Sequence, residues 1–151
     1  MRRRLARLRA LSTAQWLVVL SSLFLVPATQ VSLRFRGFSR TARTLARWSR
    51  RSPIPSDPEG ARESAEAVNL VAGRAVVGAR CLGRSLVLWF ILRRRGIDAE
   101  FVIGADAPRK GELEAHAWVE VAGVPVNDAP DVRERFGSFD LRLPRLAEAG
   151  E

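Results

Sequence analysis

The chain has one cysteine and one histidine, Cys81 and His116. A thiol with an imidazole is the smallest set that supports nucleophilic acyl chemistry, because the imidazole takes the proton and leaves the reactive thiolate. Cys81 stands at the expected start of a helix, where free amides and the positive end of the dipole favour the thiolate. Arg80 and Arg84 would add to that field. The bland alternative is that a lone cysteine is usually a small buried hydrophobe. His116 lies in Ala115-His116-Ala117-Trp118-Val119-Glu120-Val121, a strand pattern with a small residue on each side of the imidazole. The competing reading is a satisfied structural histidine. Asp128 follows Val124-Pro125-Val126-Asn127, and its competing reading is a turn residue, since Asn-Asp ahead of Ala129-Pro130 is turn chemistry. A single Cys forms no internal disulfide, and one Cys with one His falls short of a structural zinc site. No metal and no cofactor is expected.

Hairpin geometry links His116 to Asp128. If Val121-Ala122-Gly123 is a three-residue loop with Gly123 in the left-handed region, Glu120 faces Val124 and His116 lies opposite Asp128. If Ala122-Gly123 alone turns, His116 faces Ala129 and Asp128 points to the other side. The three-residue register is favoured here. It makes Asp128 the orienter of His116, and His116 the base for Cys81.

The elements that must hold these groups are legible around them. A helix runs from about Cys81 to Arg95, apolar on nearly every side through Leu82, Leu86, Trp89 and Leu92, with Arg93, Arg94 and Arg95 at its negative end and Gly96 as C-cap. Another starts near Asp57–Glu59, with Ala65, Val68, Ala72, Ala75 and Val76 on one face, until Gly78 interrupts it. Strands follow at Ala99–Ile103, Leu113–Val121 and Val124–Val126. The tail from Asp131 is mixed and ends in a polar segment.

A length of 151 residues, 47% hydrophobic and 27% charged, suits one globular domain. The excess charge is confined to the first third: residues 1–51 hold twelve Arg and no acid, whereas residues 52–151 hold thirteen basic and sixteen acidic side chains. We divide the chain into a basic, apolar, helical extension (1–51), a proline-rich linker (52–58) and a core (59–151). Within the extension, the apolar run Ala14–Val26 before Pro27 fits three things: a helix packed on the domain or a partner, a membrane-surface helix, or a cleaved signal. Its basic residues interleaved with aromatics, Phe35, Phe38 and Trp48 among them, also fit a nucleic-acid-binding surface.

Five ordered segments carry a family resemblance: Cys81-Leu82-Gly83-Arg84-Ser85-Leu86-Val87-Leu88-Trp89, Arg93-Arg94-Arg95-Gly96-Ile97, Val102-Ile103-Gly104, His116-Ala117-Trp118-Val119-Glu120 and Val126-Asn127-Asp128. Together they resemble the transglutaminase-like leader peptidases of lasso-peptide biosynthesis, over roughly residues 60–130. The resemblance implies an α+β fold with a papain/transglutaminase-like core, the nucleophile at a helix N-terminus and an antiparallel sheet carrying His and Asp. It implies a cysteine protease, Cys81 as nucleophile, His116 as base and Asp128 as orienting acid, that removes the leader of a lasso precursor peptide before a separate cyclase closes the ring. The region ahead of the core lacks the strands of a leader-recognition domain, so a separate leader-recognition protein is expected. Arg84 and Trp118 are candidates for substrate or oxyanion support. The amide of Cys81 is one oxyanion donor, and no Gln stands beside it in sequence to be the second. A cytoplasmic protein is expected, with membrane-surface contact through the N-terminus left open and no nucleic acid as partner. The alternatives are a transglutaminase-type acyl transferase, or a nucleic-acid or membrane-binding module using the basic third.

Overall fold

The apolar run near the N-terminus forms a helix that does not stop at Pro27. Helix α1 spans Thr13–Trp48 in a computed structural model that describes residues 13–49, 57–72, 80–105 and 115–139. Proline cannot donate to the carbonyl of Leu23, but Leu23 and Pro27 both lie on the exposed side, where water can take that bond. The break comes instead at Gly37 (φ 75°, ψ 174°). Past it the chain continues so that the hydroxyls of Ser32 and Thr41 meet at 2.8 Å, while Thr41 also donates to the carbonyl of Gly37 at 2.8 Å.

Helix α2 spans Pro58–Ala72, and its start follows the rules for an N-terminus. Asp57 Oδ1 accepts the amide of Gly60 at 2.8 Å, and Pro58, with no N–H to leave unpaired, takes the first helical position. The expected continuation through Ala75 and Val76 to Gly78, and the linker from Ser52 to Ser56, lie outside the described residues. Helix α3, Arg80–Arg94, begins one residue ahead of Cys81 and ends as expected before Gly96, which takes φ 82°.

Helix α3 packs on one face of a four-stranded antiparallel sheet, in the order β3-β2-β1-β4, and α1 and α2 pack on α3. The strands are β1 (Ala99–Ala105), β2 (Ala115–Val121), β3 (Val124–Pro125) and β4 (Gly137–Phe139). A single apolar cluster joins Val18, Val26 and Leu45 of α1, Val68 of α2, Leu86, Trp89 and Leu92 of α3, Phe101 of β1 and Val119 of β2. Full burial of such side chains contributes about 1.5–3 kcal/mol each, so α1 is part of what holds the sheet to the helices. Trp89 also donates its indole N–H to the carbonyl of Ala99 at 3.0 Å, fixing α3 along β1.

Of the tail from Asp131, the part to Phe139 is described, and the polar end at 140–151 lies outside the described residues. The short helix α4 (Val132–Arg135) and β4 return to the sheet, where Ile103, Gly104 and Ala105 pair with Phe139, Ser138 and Gly137. They close a second, smaller apolar cluster of Val102, Trp118, Val132 and Phe136 on the face away from the helices. With both faces covered, β2 is buried from Ala117 to Val121. Gly104 permits this packing. A Cβ there would come within 2.8 Å of the Trp118 ring and 2.9 Å of the Gly137 carbonyl.

The hairpin takes the register that was not favoured. Val121 faces Val124 and Glu120 faces Pro125, so the turn is the two-residue Ala122-Gly123, with φ of 51° and 76°. Positive φ at both positions is the type I′ turn, whose twist matches that of the strands it joins. Ala122 accepts a left-handed backbone for that match, which its residue type does not advertise.

Candidate active site

Cys81 lies in the first turn of α3, where four backbone amides have no partner within the helix. Its thiol is partly exposed and free. Arg84 and Ser85 follow at i+3 and i+4, on the same side of the helix, and both reach toward the sheet. Ser85 donates to the carbonyl of Ala117 at 2.8 Å. Trp89, one further turn on, contacts Ala99, which pairs with Val121. Helix α3 therefore runs in the same direction as β2, and Cys81 lies one turn beyond Ser85 toward the His116 end of the strand. Among the described residues Cys81 makes no hydrogen bond to His116.

His116 and Asp128 are joined directly. His116 Nε2 and Asp128 Oδ2 are 2.8 Å apart, with side-chain exposures of 21% and 17%. Asp128 Oδ2 also accepts from Arg84 at 3.2 Å, and Oδ1 accepts the amide of Ala129 at 3.0 Å. Burial alone would raise the carboxyl pKa. The His116 hydrogen bond, the Ala129 amide and the charges of His116 and Arg84 outweigh it and hold the group below the ordinary aspartate value. The imidazole is walled by rings, Phe136 at 4.8 Å between centroids and Trp118 at 6.2 Å. With Nε2 committed to Asp128, Nδ1 is the nitrogen left for a thiol.

In a two-residue hairpin Asp128 should point away from His116. It does not, because the strand ends early. Val126 still donates to the carbonyl of Val119 at 3.0 Å, but the matching bond to the Val119 amide comes from the Asn127 side chain, whose Oδ1 accepts it at 2.8 Å. The chain then bends, and Asp128 comes back across the edge of β2. Asn127 Nδ2 donates to Ser85 Oγ at 2.9 Å. Beyond Val126, two side chains thus stand in for the missing strand: Asn127 serves the Val119 amide and Ser85 the Ala117 carbonyl. This pair ties the helix of Cys81 to the strand of His116. From sequence, Ser85 counted only among the residues covering the helix and Asn127 only as a substitute orienter of His116; the link between them depends on contacts far apart in the chain.

The two expected supporting residues, Trp118 and Arg84, are both held by side-chain contacts. Trp118 is fully buried and its indole N–H is 2.7 Å from Glu120 Oε1, so it backs the imidazole and is not open to a substrate or an oxyanion. Beneath it, Glu120 is fully buried and paired with Arg133 of α4 in a two-pronged contact. One guanidinium nitrogen of Arg84 donates to Asp128 at 3.2 Å, and its buried Nε–H makes no hydrogen bond among the described residues. The search for a glutamine now has an answer in space: the Gln30 amide of α1 lies against Gly83, where a Cβ would meet its Cδ at 3.0 Å. Gly83 is two residues past Cys81, about 200° round the helix, so Gln30 faces the opposite side from the thiol.

A profile of the transglutaminase-like superfamily matches residues 23–139, a span that includes Cys81, His116 and Asp128. The microcin J25-processing protein McjB of Escherichia coli is 45% identical over 56 residues, which is 37% of this chain and 26% of that protein. The match therefore spans about a quarter of that relative. No solved structure gives a significant match. By the length of the profile match and an α+β architecture that sets a cysteine at a helix N-terminus beside a sheet, the chain belongs to the transglutaminase-like superfamily.

Proposed function

We propose that the chain is a cysteine peptidase that removes the leader from a ribosomally made lasso-peptide precursor. The observation that carries this reading is the His116–Asp128 pair at the end of the sheet toward which the only cysteine of the chain is turned. The similarity to a microcin J25-processing protein supports the class of substrate.

In this reading His116 Nδ1 takes the Cys81 proton. The thiolate attacks the scissile carbonyl, and the amide of Cys81 donates to the developing oxyanion. The imidazolium, held by ionised Asp128, returns the proton to the leaving amine as the C–N bond breaks. Water then attacks the thioester with His116 as base, releasing the leader as an acid and restoring the thiol. A separate leader-recognition protein delivers the precursor, and a separate cyclase takes the freed core peptide.

The test is to incubate the chain with its neighbouring precursor and recognition protein, and to read the products by mass spectrometry. Cys81→Ala and His116→Ala should each abolish release of free leader while keeping the fold. Asp128→Asn should be less severe, since it alters the orientation and charge of the imidazole without removing a reacting atom. Leader release by folded Cys81→Ala would end the proposal. An amine-linked product in place of free leader would assign the thioester to acyl transfer, which the superfamily match also accommodates.

A further inference from the structure

Helix α1 has two apolar sides. One is buried against α2 and α3 through Val18, Val19, Val26 and the small polar Ser22 and Thr29. The other faces solvent. Leu17, Leu20, Phe24, Val31 and Phe35 recur at steps of three, four, seven and four, one stripe of a 3.6-residue helix, and Phe24 and Phe35 are 77% and 79% exposed. No charged residue lies between Arg9 and Arg34, so from Leu17 to Val31 the stripe runs uncharged for about 20 Å at 1.5 Å per residue.

Arginines flank this stripe. Arg34 and Arg36 stand at its C-terminal end and Arg40, Arg43 and Arg47 follow beyond the break at Gly37, all exposed and in no ion pair among the described residues. Ahead of the stripe the sequence carries five more, from Arg2 to Arg9. With no acid in residues 1–51, the surface asks for an apolar partner bordered by dense negative charge.

We infer that this face of α1 docks on an anionic membrane surface. The part of α1 ahead of the Gly37 break lies in the plane of the headgroups, with Leu17, Leu20, Phe24 and Val31 among the upper acyl chains and the neighbouring arginines on lipid phosphates. A bilayer needs no shape match to a smooth stripe and offers charge along its whole length. By length and composition Gln15–Trp48 could also cross a membrane. Crossing would pull Val18, Val26 and Leu45 out of the cluster they share with Leu86 and Trp89, so lying on the surface is the arrangement that keeps the fold. Trp16, 40% exposed at the margin of the stripe, is of the residue type favoured at that depth.

The test uses the full chain, sedimented with vesicles of phosphatidylcholine alone or with about 30 mol% phosphatidylglycerol. Binding to the anionic vesicles should be at least about tenfold tighter than to the neutral ones and should weaken as salt shortens the screening length. Phe24→Glu should lower that binding at least about tenfold with an unchanged melting curve, because its side chain lies outside the core. Leu17→Glu, 63% exposed in the wild type, serves if Phe24→Glu does not fold. Equal binding by wild type and variant would overturn the inference. So would loss of lipid-free leader removal in the folded variant, which would mark a protein interface. Recovery from cells of a chain cut short of α1 would mark a removed signal and overturn it as well. Vesicle binding is read without any activity, so its failure leaves the peptidase reading untouched.

Discussion

Replacing Ser85 with alanine should damage both stability and turnover, for reasons that can be counted. The hydroxyl is fully buried and makes two bonds, donating to the Ala117 carbonyl at 2.8 Å and accepting from Asn127 Nδ2 at 2.9 Å. The bonds of Ala117 on that side of β2 point to where β3 has already ended, so no strand takes over. Ser85→Ala removes one oxygen and leaves almost no cavity, but it strands a carbonyl and an amide in the core. Each such group costs about 1–3 kcal/mol, so the loss should be about 2–6 kcal/mol in a domain of ordinary stability, about 5–15 kcal/mol. That corresponds to a fall in Tm of about 5–15 °C. The same bonds set the spacing between the helix of Cys81 and the strand of His116, and a shift of about 1 Å in such geometry can cost about a hundredfold in rate. Urea denaturation gives the first quantity, and kcat on the precursor, at a temperature where the variant is fully folded, gives the second. Combining Ser85→Ala with Asn127→Ala should cost less than the two single changes added together, because they remove one shared bond. A Ser85→Ala protein within about 0.5 kcal/mol of wild type, with unchanged kcat, would refute this account.

Acid should expose the Asp128 pair. Because its folded pKa lies below the unfolded value of 3.8, Asp128 contributes stability that is complete above about pH 4 and is lost as pH falls through the folded value. Asp128→Asn should thus have a lower urea midpoint than wild type near neutrality, with the gap closing as pH falls below 3.8; a gap independent of pH would deny the shift. Gly104→Ala should destabilise by about 1–3 kcal/mol, since the new methyl meets the Trp118 ring and the Gly137 carbonyl together. A thermal melt checks it, and an unchanged Tm would mean that β4 and Trp118 are less tightly set than described.

What the sequence made legible was mostly local. Helix α3 could be read because apolar residues cover its middle, three arginines sit at its end and Gly96 follows, all within one stretch. The strands of Cys81's neighbours in space were found from alternation and from Gly123. The turn length was misjudged because the deciding residue, Ala122, adopts a left-handed backbone at φ 51° that nothing in its type signals. Pro27 looked like a boundary, yet an exposed proline beside an exposed carbonyl is tolerated in α1. The remaining features depend on partners far along the chain. Strand β4 is three residues long and exists by pairing with β1. Glu120 reads as the polar member of an alternating strand, and it can be buried because Arg133 reaches it. His116 and Asp128 were matched by the wrong register, and they meet because two side chains end a strand early.

The position of Phe136 has a consequence for how the protein is made. A ribosome delivers the chain from its N-terminus at about 5–20 residues per second, so α1, α2 and α3 can collect around the cysteine helix first. The imidazole arrives later, at residue 116, and its carboxylate partner at 128. The ring at 4.8 Å that walls it comes later still, with β4 directly behind. A nascent chain therefore carries its thiol long before the His116–Asp128 pair is walled, and the arrangement around His116 is complete only when residues 136–139 have left the tunnel and β4 has paired with β1.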